Sequence, residues 1–138
     1  TLPPLPGDFL TYNTFMDTNI STSEERVTQI FRLVGQPNRV RILLELGRDE
    51  ACVCHLEARL GLRQATISQH LTALKEGGLV LSRREGRFIF HRLADPALLE
   101  IIRLAARAAG VAVEELESGT ENPCNCPKCA PGGSCSER

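Results

Sequence analysis

At 138 residues the chain has the length of a single domain with one hydrophobic core. Apolar residues make up 42% and charged residues 24%, which excludes both a disordered acidic chain and a membrane-embedded one. The formal net charge of −1 argues against a nucleic-acid partner only until it is divided along the chain. Residues 1–38 carry 2 basic and 4 acidic groups (net −2), residues 39–92 carry 10 and 6 (net +4), and residues 93–138 carry 4 and 7 (net −3). A basic middle between acidic flanks is the pattern of a nucleic-acid reader.

No apolar run approaches the ~18–20 residues of a membrane span, and no basic-then-apolar leader opens the chain. A cytoplasmic protein without a membrane partner is therefore expected. In such a compartment the six Cys read as metal or redox chemistry more than as structural disulfides. They fall in two groups: Cys52 and Cys54, then Cys124, Cys126, Cys129 and Cys135.

In chain order, residues 1–21 form an arm punctuated by Pro3, Pro4, Pro6 and Gly7. Thr22 and Glu25 have capping-box spacing, and Val27, Ile30, Phe31 and Val34 recur at helical period, predicting a first helix near 23–35. Pro37 suits the first position of a second helix with Val40, Leu43, Leu44 and Gly47 on one face. A short third helix covers about 52–60, with Leu56 and Leu60 inward and Gly61 ending it. A fourth runs from about 64 to 76 on Ile67, Leu71 and Leu74, closed by Gly77-Gly78. The period then changes. Leu79–Leu81 and Phe88–Phe90 are short β-prone runs around a basic tip, residues 82–87, which makes a hairpin. Pro96 opens a last helix over roughly 96–116, and Pro and Gly from Ser118 onward forbid regular helix. The domains expected are an arm (1–21), a winged helix-turn-helix (22–117) and a Cys-rich tail (118–138). The fold class is mainly α with a β-hairpin wing.

The third and fourth helices are joined by Gly61-Leu62-Arg63, the short turn of a helix-turn-helix. The outward side of the fourth helix offers Gln64, Thr66, Ser68, Gln69 and His70. Gln pairs bidentately with adenine, and Ser or Thr bonds several base edges. Arg63 at the helix entrance and Arg83, Arg84 and Arg87 in the wing are candidates for phosphates or a minor groove. Double-stranded operator DNA is the partner this surface predicts.

Residues Gly35 to Leu43 (Gly-Gln-Pro-Asn-Arg-Val-Arg-Ile-Leu), the box Cys52-Val53-Cys54-His55-Leu56, the run Ala65 to Leu71 (Ala-Thr-Ile-Ser-Gln-His-Leu) and Gly78-Leu79-Val80 together resemble the ArsR/SmtB metal-sensing repressors over about 24–110. The resemblance implies a homodimer joined through the first and last helices, bound to an inverted-repeat operator and released by a metal or metalloid. It departs from the family at several points. His55 stands where the box usually carries an acid, Glu57 stands where arsenic sensors often place a third Cys, and residues 96–116 contain no His or Cys.

Thiolate is the ligating form of Cys, and the positive end of a helix favours anions. Cys52 and Cys54 fall at the start of the third helix, yet residues two apart in a regular helix point about 200° away from each other. Sharing one ion is expected to require that first turn to be frayed or to open on binding, and ligation there to strain the scaffold that aims the fourth helix. Three thiolates suit As(III), as the resemblance implies, and four suit Zn or its heavier relatives. Tail thiols, Cys124 or Cys126 first, are candidates to complete the site with Cys52 and Cys54; the rival is a separate site in which Cys124, Cys126, Cys129 and Cys135 bind a metal among themselves. The expected inducer is As(III) or another soft metal ion, with no organic cofactor. A Cd-, Pb- or Zn-responsive repressor is the nearest alternative. A thiol redox-sensing DNA-binding regulator comes next, and a thiol-disulfide enzyme built on Cys126-x-x-Cys129 comes last, because that motif here follows no strand–helix unit.

Overall fold

The computed structural model describes residues 22–118, so Cys124, Cys126, Cys129 and Cys135 lie outside the described residues. The chain divides into two units, 1–32 and 33–138. Helix α1 (Ser23–Val34), whose last two residues, Leu33 and Val34, belong to the second unit, begins at the expected capping box. Thr22 N–H donates to Glu25 Oε2 at 2.8 Å, and Glu25 N–H donates to Thr22 Oγ1 at 3.2 Å. Val27 and Phe31, two of the apolar residues that mark its helical period, are 55% and 61% exposed.

In the second unit come α2 (Pro37–Arg48), β1 (Ala51–Cys52), α3 (Val53–Leu60), α4 (Gln64–Glu76), the hairpin β2 (Val80–Glu85) and β3 (Phe88–Leu93), then α5 (Ala97–Ala108) and α6 (Val113–Glu117). The core is Ile42, Leu43, Leu44 and Leu46 of α2 against Leu56 and Leu60, Ile67, Leu71 and Leu74, Val80 and Phe90, and Leu98 and Ile102. The apolar positions read from the helical period of α3 and α4 are the buried ones. At Gly47 a Cβ would collide with the side chain of Leu99, so glycine is what lets α5 lie close on α2. No helix of the described residues is long and apolar enough to cross a membrane.

Three differences from the sequence expectation bear on function. The sheet has three antiparallel strands in the order β1-β3-β2, not two, because Ala51 and Cys52 pair with His91 and Phe90. Two residues are too few for a period-2 pattern, so the sequence reads them as the start of α3. The wing strands are also longer than expected, with Glu85 opposite Phe88 and a turn of only Gly86-Arg87. Gly86 has φ +60°, the left-handed value that two-residue hairpin turns demand. Arg83 and Arg84 thus sit in a strand and face opposite sides of it, whereas the sequence reading puts both in the tip. The last helix is broken. Val111 N–H bonds to Ala106 O at 2.9 Å and Gly110 N–H to Arg107 O at 3.1 Å, with Gly110 at φ +72°, a Schellman termination before α6.

Candidate DNA interface and thiol site

Helix α4 buries Ile67, Leu71 and Leu74 and exposes Gln64, Ser68 and Gln69, while Thr66 and His70 are half-buried at the margin of that face. Arg63 occupies the N-cap position of α4 and is exposed. Its place beside the positive helix end suits a phosphate. The six candidates from this helix and its entrance therefore lie together on or beside one face. His70 has a partner that sequence reasoning missed: its Nδ1 accepts from Arg39 Nε at 3.3 Å. Burial and the neighbouring Arg39 charge hold its pKa below the ordinary histidine value.

The wing candidates separate. Arg84 and Arg87 are exposed, and the guanidinium of Arg87 lies over the ring of Phe88 at 5.6 Å. Arg83 is committed within the protein. Its Nε donates to Glu50 Oε2 at 2.8 Å, its Nη2 to Glu50 Oε1, and its guanidinium lies 4.9 Å from the centre of the Phe90 ring. The Glu50 hydrogen bonds raise its pKa above the ordinary arginine value. Glu50 carries no motif signal, and only the β1–β3 pairing brings it to the wing.

His91, given no role from sequence, is buried on β3 with Nδ1 2.9 Å from Ser82 Oγ. Burial, helped by the charge of Lys75, lowers its pKa from 6.5 to about 4. Between those values the unfolded chain binds a proton that the folded chain refuses, so stability is complete above about 6.5 and falls as pH drops toward 4. The loss amounts to ~3 kcal/mol at most. Denaturant unfolding of His91→Gln beside the parent, at neutral pH and at about pH 4.5, should show a flatter pH dependence in the variant.

Cys52 is 2% exposed and packs on Phe90, with half-buried Cys54 and Phe88 against the same cluster. The expectation that the two thiols diverge is overturned. Cys52 lies outside the helix as the N-cap of α3, with extended backbone at φ −85° and ψ 168°, and its Sγ accepts from His55 N–H at 3.4 Å. That extended residue swings the side chain back over the first turn, and the Sγ atoms of Cys52 and Cys54 approach to 2.7 Å. No helical turn has to open to bring them together.

His55 belongs to no three-ligand cluster among the described residues. It is buried, with Nε2 3.2 Å from Glu45 Oε1, which also accepts from buried Arg59 Nε at 3.0 Å. No buried side-chain nitrogen or oxygen among the described residues lacks a partner. Nor do those residues contain any group of three or more His, Cys, Asp or Glu able to hold a metal. A soft ion would find two converging thiols here and would need a third ligand from elsewhere.

A helix-turn-helix with a basic wing defines a class of DNA-binding regulator, and comparison with known proteins identifies the family. Residues 36–82 match the profile of bacterial regulatory proteins of the arsR family. The chain is 40% identical over 81 residues to an uncharacterized HTH-type transcriptional regulator of Methanocaldococcus jannaschii, covering 58% of this chain and 91% of that one. It is 41% identical over 67 residues to the arsenical resistance operon repressor of Escherichia coli, covering 48% of this chain and 57% of the relative. Among solved structures, HlyU from Vibrio cholerae aligns with a TM-score of 0.58 at 29% identity, over 64% of this chain and 97% of that one. The chain belongs to the arsR family; it is a transcriptional regulator and not an enzyme.

Proposed function

We propose that the protein is a homodimeric repressor that binds an inverted-repeat operator through α4 and the wing and lets go when a thiophilic metal or metalloid binds its cysteines. As(III) is the first candidate for that inducer. The observation that carries this reading is the convergence of Cys52 and Cys54 at a strand–helix junction tied to both reading elements. From this junction α3 leads through Gly61-Leu62-Arg63 into α4, while β1 pairs with the wing strand β3. A relative repressing an arsenical resistance operon supports the choice of inducer.

A soft trivalent ion takes three thiolates, so one or more of Cys124, Cys126, Cys129 and Cys135 completes the set. The point of departure of the tail supports this. Ser118 lines a small cleft with Arg41, Glu45 and Arg48, and from Glu45 the path to Cys52 crosses only His55. The six residues from Ser118 to Cys124 span up to ~20 Å when extended. The bound ion would draw the thiolates into its own geometry and so alter the N-cap of α3 and the pairing of β1 with the wing. Dimerisation through α1 and α5 is supported by Val27, Phe31 and Leu104, apolar side chains that stay more than half exposed in the single chain. The two recognition helices of such a dimer address half-sites about one helical turn apart, ~34–36 Å.

The test is release from operator DNA under strict reduction, titrated separately with As(III), Sb(III), Cd(II), Pb(II) and Zn(II). Release by As(III) at the lowest concentration is the expected result, and no response to any ion overturns the reading. The 2.7 Å approach of the two Sγ atoms favours one second reading, a redox switch. There the two thiols would lose two protons and two electrons to a peroxide and close a disulfide; such a protein responds to peroxide and stays silent to metals under reduction.

The separation of Arg83 from Arg84 gives a paired expectation for the wing. Arg84→Ala should weaken binding across sequences and reduce the slope of log affinity against log salt by about 0.9 per lost phosphate contact. Arg83→Ala should leave that slope nearly unchanged, because its cation already neutralises Glu50. Equal slopes for both variants would remove the distinction.

A further inference from the structure

Arg39 stands at a junction of three helices. Its Nη1 donates to Leu33 O at 3.1 Å, one of the terminal carbonyls that α1 leaves without a helical partner. Its Nε donates to His70 Nδ1 at 3.3 Å, joining α2 to α4 between residues 31 apart in sequence. A guanidinium has donors and no acceptor, so the ring nitrogen facing it must present a lone pair. An imidazolium has none, and a neutral ring with its proton on Nδ1 has none there. Only the neutral ring protonated at Nε2 satisfies the contact.

We propose that Arg39 is a positioning residue for the recognition helix, holding His70 as the Nε2–H tautomer so that α4 offers a neutral hydrogen-bond donor to a DNA phosphate oxygen. Phosphate is the acceptor the placement favours. His70 lies half-buried at the margin of the exposed Ser68–Gln69 face, where the duplex backbone and not the groove floor meets a recognition helix. A neutral donor there suits a helix that must release its operator, since it forms a contact without adding a charge. The contact of the same arginine with Leu33 O gives the pair a fixed base. The proposal rests on DNA binding by α4, but its first test needs no DNA.

Long-range proton–nitrogen NMR on the full-length protein with labelled histidine reads the tautomer directly. At neutral pH His70 should show a protonated Nε2 and a bare Nδ1. A proton on Nδ1, or an imidazolium, overturns the proposal whatever the variants do. Arg39→Met, which removes every donor, should let the two tautomers mix. His70→Phe keeps Arg39 on Leu33 and removes the donor, and it should lower affinity for operator and for non-specific duplex by the same factor, about tenfold. Undiminished affinity in His70→Phe overturns the phosphate contact, and so does a loss confined to the operator, which would mark a base contact. Failure of the parent protein to bind any duplex would instead overturn the reading of α4 itself.

Discussion

Cys52→Ser combined with Cys54→Ser should leave operator affinity within about twofold of the parent while abolishing As(III)-driven release. The cap makes this substitution informative. Cys52 Sγ accepts the His55 N–H at the start of α3, and a serine hydroxyl is among the preferred groups for that role. Serine therefore keeps the helix start while removing a soft ligand from each position. Alanine at 52 would lose the cap as well, at about 1 kcal/mol, and would confuse folding with sensing. In the parent, a coupling of ~1–3 kcal/mol between inducer and operator lowers affinity about 5–150-fold, and all of that should vanish in the double variant. Operator titrations with and without As(III), under reduction, measure it. A variant that still releases DNA would show that the inducer binds elsewhere. Truncation after Ser118 provides the complementary arm, since unchanged inducer affinity would make the tail cysteines bystanders.

Glu45→Ala should be the most damaging single change to the fold, at about 3–5 kcal/mol. The carboxylate is 6% exposed and lies between His55, Arg59 and, at 3.7 Å, Arg48. Its removal takes from the buried Arg59 guanidinium, 4% exposed, the carboxylate 3.0 Å from its Nε. Against a whole-domain stability of about 5–15 kcal/mol, that loss should be plain in denaturant unfolding. Burial raises the pKa of Glu45, but the His55 hydrogen bond, the charge and hydrogen bond of Arg59, and Arg48 together outweigh it and leave the pKa below the ordinary carboxylate value. The stability from this depression is present above the ordinary value and is lost as pH falls through the lowered one. Glu45→Gln should lose this acid sensitivity along with part of the stability. Because His55 also donates to Cys52, a destabilised network should loosen the thiol pair too.

Helix α4 was legible in the sequence because burial on one side imposes a 3.6-residue period that survives without its neighbours: Ile67, Leu71 and Leu74 mark the inner face and Gln64, Ser68 and Gln69 the outer. The capping box at Thr22 and Glu25 was legible for a similar reason, since its partners are three residues apart. Contacts between distant segments left no such trace. Glu50 meets Arg83 across 33 residues, and nothing in either neighbourhood announces the pair. Arg39 reads as one more basic residue of the central block until α2 and α4 are packed. Phe31, part of the apolar period of α1, is exposed because periodicity marks an apolar face without saying what covers it.

The cysteines show the division most clearly. Sequence alone determined that Cys52 and Cys54 sit at the entrance of a helix-turn-helix, because a two-residue spacing and a following helical period are local facts. Whether the two thiols face each other was decided by tertiary structure. β3 takes Ala51 and Cys52 as a two-residue edge partner, which holds Cys52 extended and outside the helix. A hydrogen-bonded strand partner some 38 residues away outweighs the helical tendency of one residue at a helix end. The same pairing joins the thiols to the wing.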